Sequence, residues 1–378
     1  MPAYAAFAAA CPWFLPLAAA LFGAIVGSFL NVCIYRIPRD ESVVAPRSHC
    51  PKCDAMIAWY DNIPFVSWLA LKARCRHCGA PISPRYFLVE LLTSVLFLAV
   101  WNKYGFYAEK PHYELVPIFW LVISGLILGT FVDFEHMILP DRVTIGGMIA
   151  GVALSLLVPS LQNAHSAQIS FMRSLIGLAV GFGSLFAVAE VGKIIFGRKR
   201  IVLEAPVELS FSAAENDERT MKLGDEDWAW DELFPRASDK WKLECPAAKL
   251  GDRTWNNVVV ELRESGLNIG GEKFPAEQLA AFTASVNAYR YPREAMGFGD
   301  VKLMGAIGAF FGWPAIFFTV LLSSILGSMV GIYLIVAKKY EWQSRIPYGP
   351  YIALACVVWI LGGREWWLDY WFWLTGAR

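Results

Sequence analysis

Eight stretches of this chain are apolar enough to restrict its fold to one main solution: roughly 13–35, 86–102, 115–134, 142–159, 173–196, 301–312, 315–337 and 348–363. A helix needs about 20 mostly apolar residues to cross a bilayer. Inside lipid only helices and closed barrels satisfy their own backbone groups. Composition agrees: hydrophobic residues make up 56% of the chain and mean hydropathy is +0.43. Soluble domains hold about 45–50% apolar residues. The expected fold is an all-α polytopic membrane protein with about eight transmembrane helices. A formal net charge of zero gives no footing for a nucleic-acid partner. The first stretch has no basic segment before it and runs into Arg36 without a small-residue cleavage site, so it is read as a retained span.

The sixth stretch is short and joins the seventh through Gly312-Trp313-Pro314, a tight helix-to-helix turn. The tail 364–378 carries Trp366, Trp367, Tyr370, Trp371 and Trp373 and suits a membrane interface. Basic residues orient the bundle. The loop 36–85 holds eight: Arg36, Arg39, Arg47, Lys52, Lys72, Arg74, Arg76 and Arg85. Arg198-Lys199-Arg200 and Lys338-Lys339 follow on the same side, whereas 103–114, 160–172 and 312–314 are poor in basic residues. The positive-inside rule then makes 36–85 cytoplasmic and both termini external.

Residues 198–293 break the apolar pattern with 17 acidic and 14 basic residues and four tryptophans. Arg200–Phe211 and Asn257–Arg263 read as strands and Ala276–Val286 as a helix. This is expected to be a cytoplasmic α+β insert. The domain division is therefore 1–102, with membrane helices around the loop 36–85; 103–197, a first part of the membrane core; 198–293, the insert; and 294–378, the second part.

Two acids stand out. The third stretch ends LGTFVDFEHMILPD, placing Asp133 at its cytoplasmic end, and GFGDVKLMG places Asp300 at the start of the sixth. An even number of crossings separates them, so both face the same side. A carboxylate within a span costs about 2.5–3.5 kcal/mol, which makes it a functional candidate by default. Two facing carboxylates do not both ionise cheaply; one keeps its proton while the other acts as base on water, the chemistry of aspartic proteolysis. Gly297 and Gly299 would let an extended substrate backbone approach. The plain alternative for Asp300 is a helix cap. Asp141, after Pro140, reads as the cap of the fourth helix, Lys302 as a snorkelling lysine, and Glu135 and His136 as interfacial.

The loop 36–85 contains Cys50-Pro-Lys-Cys53, then 21 residues, then Cys75-Arg-His-Cys78. Paired C-x-x-C knuckles aim four thiolates at one point and fit tetrahedral Zn²⁺ in a structural role. Four reduced thiols or redox-active pairs are the alternatives. His49 and His77 are adjacent but unnecessary as ligands. Cys11, Cys33, Cys245 and Cys356 read as small buried hydrophobes.

With these residues in view, the chain resembles the type IV prepilin peptidases, bifunctional leader peptidases and N-methyltransferases. GSFLNVCIYRIPR (27–39), RSHCPKC (47–53), WYDNIPFVSW (59–68), CRHCGAPISPRYFLVE (75–90), DFEHMILPD (133–141) and GFGD (297–300) carry the likeness, in order, over nearly all of 13–363 except the insert. The resemblance implies that Asp133 and Asp300 are the catalytic pair of a G-x-G-D aspartic protease in a bacterial inner membrane. It implies cleavage of basic leaders from type IV prepilins or type II secretion pseudopilins at the cytoplasmic face, and methylation of the new N-terminus with S-adenosylmethionine. Arg85, Tyr86 and Glu90 are candidates for shaping the methyl-donor site; the alternative is that Arg85 and Glu90 simply satisfy each other. Asp40, Glu41 and Asp61 are candidates to meet the basic leader. The insert departs from the family pattern and is a candidate cover for the dyad, substrate selector or dock for pilus or secretion assembly proteins; the alternative is a decorative insertion.

Overall fold

The computed structural model describes residues 11–106, 111–196, 198–213, 219–234, 240–292, 296–337 and 347–375. Lys338-Lys339 lies outside the described residues. Every apolar stretch forms a helix: α1 Phe14–Arg36, α2 Pro84–Trp101, α3 Leu115–His136, α4 Asp141–Leu157, α5 Ala167–Phe196, α6 Phe298–Phe311, α7 Trp313–Val336 and α8 Gly349–Val358. A π turn with Gly362 at φ 152° links α8 to α9, Arg364–Thr375.

Among the described residues six helical segments are long and apolar enough to cross a membrane, fewer than the eight expected. The shortfall is α4, with 17 residues, and α6, with 14. At 1.5 Å per residue α6 covers about 21 Å of a hydrocarbon layer about 30 Å thick. The helix stops where Gly312 turns to φ 74° and returns its N–H to Gly308.

Small residues bring the backbones around α6 close together. A Cβ on Gly177 of α5 would fall 2.1 Å from the Gly308 carbonyl oxygen, and one on Gly308 would fall 2.0 Å from that of Gly177. Lipid tails are as apolar as leucine, so helices in a membrane associate by such close contact rather than by a hydrophobic drive. On α4, a Cβ on Gly151 would lie 2.8 Å from the Cβ of Ala309. Gly177→Ala or Gly308→Ala should cost about 1–3 kcal/mol, since only backbone can yield. The expected result is a lowered unfolding temperature of the detergent-solubilised protein; an unchanged one would refute this packing.

Residues Met1–Phe186 with Gly297–Arg378 form one compact unit and Ala187–Met296 a second. The second is built on an eight-stranded antiparallel sheet, β1 Arg198–Ala213, β2 Arg219–Leu223, β3 Glu226–Ala229, β4 Lys240–Leu250, β5 Arg253–Arg263, β6 Gly266–Ile269, β7 Glu272–Pro275 and β8 Phe282–Pro292. Its order is β3-β2-β1-β8-β4-β5-β6-β7. The insert is therefore mainly β. The helix expected over 276–286 is replaced by a 3₁₀ turn, Ala276–Ala281, followed by β8. Phe282, Ala284, Val286 and Ala288 are buried alternately, and that two-residue period prevails over local helix propensity. Entry strand and exit strand are neighbours, with Arg198 paired to Pro292 and Ser210 to Thr283, so the insert begins and ends at one place.

Candidate active site

Asp133 lies in the last turn of α3 and Asp300 in the first turn of α6. Both are buried, at 6% and 7% exposure, and the charge of Asp133 bears on Asp300. Two acids 167 residues apart in the chain thus come within electrostatic reach of each other. Neither is a helix cap. The residue preceding α6 in the cap position is Gly297, and Asp300 is the third helical residue. Asp133 sits at the negative end of its helix, where a carboxylate is disfavoured by the dipole. Its Oδ2 instead accepts the N–H of Gly349, at 3.1 Å, from the first turn of α8. The N-terminal N–H groups of a helix have no partner within it, so this donor is free to hold an anion.

Leu139, in the bend between α3 and α4, fills the space beside the pair. A Cβ on Gly299 would lie 2.9 Å from the Leu139 Cβ, and one on Gly349 would lie 3.3 Å from both Leu139 methyls. Gly299 is thus required by close packing inside the protein. At Gly297 a Cβ would meet only Asp300 Oδ2, at 3.4 Å, which leaves that face open beside the carboxyl group. Around this end Phe134, Met137, Ile138 and Phe298 are exposed, at 55%, 51%, 49% and 41%. His136 and Glu135 are exposed as well.

Neighbouring charges are arranged differently from the sequence expectation. Arg85 does not pair with Glu90; its guanidinium pairs with Glu135, two residues beyond Asp133, and lies over the Tyr86 ring. Glu90 accepts the N–H of Phe65 at 2.9 Å and a hydrogen bond from Ser28. Phe65 has φ 62°, a strained conformation for an aromatic residue, held by that bond. The Tyr86 carbonyl accepts from the Asn31 side chain at 3.0 Å. Asp141 begins α4 without capping it, and pairs with Lys302, which is therefore not free to snorkel. Asp61 accepts from Nη2 and Nε of Arg76, at 2.6 and 2.7 Å, which pulls its carboxyl below the ordinary range.

The four knuckle cysteines converge. Their sulfur atoms all lie within 4.8 Å of one another, with Cys50 and Cys78 at 3.9 Å. Tetrahedral zinc–thiolate bonds of about 2.3 Å require sulfurs about 3.8 Å apart, so the group has the right size for a metal ion. The two knuckles share one design. The Cys50 N–H bonds the Ala55 carbonyl and Asp54 returns to Cys50; the Cys75 N–H bonds the Ala80 carbonyl and Gly79 returns to Cys75. Asp54 and Gly79 both take positive φ, 52° and 68°, at the matching position. The backbone N–H groups of Cys78 and His77 pull the Cys75 thiol down to about 6, so it is ready as a thiolate.

Between α1 and this loop is a cavity of about 400 Å³, bordered by Ser28, Phe29, Arg36, Arg47, Trp59 and Asn62. The Arg36 guanidinium is already committed to the Ser42 and Pro46 carbonyls.

Comparison with known proteins gives consistent matches along the chain. Residues 21–104 match the bacterial peptidase A24 N-terminal domain, and residues 120–201 and 267–332 match the type IV leader peptidase family. The gap between those last two stretches falls within the β insert. A protein of Myxococcus xanthus named prepilin leader peptidase/N-methyltransferase is 48% identical over 181 residues, covering 48% of this chain and 50% of that protein. One of the same name from Dichelobacter nodosus is 36% identical over 207 residues, covering 47% and 67%. One from Aeromonas hydrophila is 27% identical over 382 residues, covering 93% and 92%. No solved structure matches the chain. The chain belongs to the type IV leader peptidase family.

Proposed function

We propose that this protein is a membrane aspartic endopeptidase that removes the leader from type IV prepilins or pseudopilins and methylates the new N-terminus. The observation that carries the reading is the buried pair Asp133 and Asp300, close together at the ends of two membrane helices. One carboxylate takes a proton from water as the oxygen attacks the scissile carbonyl carbon. The other carboxyl gives its proton to the carbonyl oxygen. On collapse the C–N bond breaks, a hydroxyl proton of the tetrahedral intermediate returns to the second group, and the amine takes the proton from the first. The dyad is then restored. Gly297 leaves room for the substrate backbone, and exposed Phe134, Met137 and Ile138 suit the apolar segment that follows a leader.

The dyad faces the cytoplasm of a bacterial inner membrane, by the excess of basic residues in 36–85. The short helices α4 and α6 complete an eight-helix bundle with the six longer segments. Cys50, Cys53, Cys75 and Cys78 hold a structural Zn²⁺; four thiolates leave it no open position, so it shapes the loop. S-adenosylmethionine supplies the methyl group. The cavity against the cysteine loop has the volume of a small-molecule site, with Arg47 for a carboxylate and Trp59 and Phe29 for an aromatic base. Of Arg85, Tyr86 and Glu90, none borders the cavity, and Glu90 reaches its wall through a hydrogen bond with Ser28.

Purified protein incubated with a prepilin and a labelled methyl donor should yield a shortened product that carries label. A shortened product without label would remove the methylation half of the reading, and no shortening would remove both. The insert is read as an accessory for docking an assembly protein. Replacing 199–291 with a short Gly/Ser linker should leave cleavage of a short leader-containing substrate within about threefold. A larger loss would assign the sheet to the reaction itself.

A further inference from the structure

The two acids of the pair are held unequally, and the inequality assigns their roles. We propose that Gly349 is a positioning residue: its N–H fixes Asp133 as the anionic base that activates water, leaving Asp300 to carry the proton. This rests on the reading of Asp133 and Asp300 as the catalytic pair.

The argument is geometric. An N–H donor satisfies a carboxylate oxygen, and hydrogen bonds to the charged form favour it. Gly349 supplies this donor to Asp133 Oδ2 at 3.1 Å, inside the protein, from a residue 216 positions away in the chain. The donor belongs to the first turn of α8, whose positive end points the same way. The turn is itself anchored. Pro350 fixes the backbone of the helix start, and the Tyr348 hydroxyl bonds Ser323 at 2.8 Å and Ser324 at 3.2 Å on α7. A side chain at 349 would displace the carboxyl group: a Cβ there would stand 2.7 Å from Asp133 Oδ2. Glycine therefore allows the contact as well as making it.

Charged groups on the elements packed around α3 do not compete for this role. Arg85 of α2 is paired with Glu135, Glu90 is bonded to Phe65, and Asp141 of α4 is paired with Lys302. Arg36 of α1 is bound to loop carbonyls, and Arg142 of α4 acts on Cys33. α8 has no acidic or basic residue. Asp300 remains as the acid coupled to Asp133.

The test is the pH profile of prepilin cleavage by the full-length protein, with methylation of an already cleaved pilin measured alongside. Gly349→Ala keeps the N–H but pushes Asp133 away from it. Cleavage kcat/KM should fall at least about tenfold at neutral pH, and its acid limb should move to higher pH, so that alkaline buffer restores part of the activity. Methylation should stay within about twofold. Tyr348→Phe adds no bulk and loosens the same turn, so its acid limb should move the same way by less. Unshifted acid limbs in both variants, or losses equal at every pH, overturn the assignment. If Asp133→Asn still cleaves, the dyad reading itself has failed; if Asp133→Asn is dead while the Gly349 and Tyr348 variants keep the parental profile, only the role of Gly349 has.

Discussion

Asp133→Asn and Asp300→Asn should each reduce prepilin cleavage by at least about 100- to 10,000-fold, the usual contribution of a positioned acid or base. Asparagine keeps the size and hydrogen bonding of the side chain but neither takes nor gives the proton. The fold should survive, because removing a buried carboxyl charge relieves a cost that burial imposes. Asp133→Asn can still accept the Gly349 N–H through its amide oxygen. Methylation of a pre-cleaved pilin should therefore persist in both variants, showing that they are folded. Substantial cleavage by either variant would mean that the pair is structural. Equal loss of cleavage and methylation would point to collapse of the helices around α6.

Much of this site is legible in the sequence because membranes make carboxylates expensive. Asp133 and Asp300 stand out at the ends of apolar stretches, and counting crossings between them places them on one side. The cysteine knuckles are legible for a similar reason: their spacing has few other uses. What escapes is contact through space. Gly349, ahead of Pro350, reads as an ordinary helix start, and only the fold shows that its N–H meets Asp133. Leu139 reads as loop, yet it determines why Gly299 has no side chain. The pairing of Arg85 with Glu135, in place of Glu90, also depends on how α2 lies against α3. In the insert, Ala276–Ala281 is made of helix formers, but it forms only a 3₁₀ turn, because the alternating burial that begins at Phe282 makes the following residues a strand. A local window favours the first signal; the sheet rewards the second.

Cys75→Ser, or treatment with a strong zinc chelator, should empty the metal site and unfold the loop around it. The two ends of 47–82 are folded by the knuckles and the isolated bridges His49–Met56 and Arg74–Pro81, while its middle is held by the Asp61–Arg76 pair, by Glu90 at Phe65 and by Phe87 against Phe65 and Trp68. Structural zinc bound by such peptides contributes about 10–16 kcal/mol of apparent binding energy, which is also folding energy for the segment. Metal analysis should show about one zinc per chain in the parent and none in Cys75→Ser, with new protease cleavage within 47–82. The loop forms one wall of the cavity beside α1, so methylation should fall steeply. Cleavage should fall less, because Asp133, Asp300 and Gly349 are carried by α3, α6 and α8. Acid should mimic the substitution. Zinc holds its ligands as thiolates and protons compete with it for all four sulfurs, so zinc retention should weaken as pH falls. Unchanged zinc content in Cys75→Ser would exclude the four-thiolate site. Zinc loss with methylation intact would separate the loop from methyl transfer and send the donor site elsewhere.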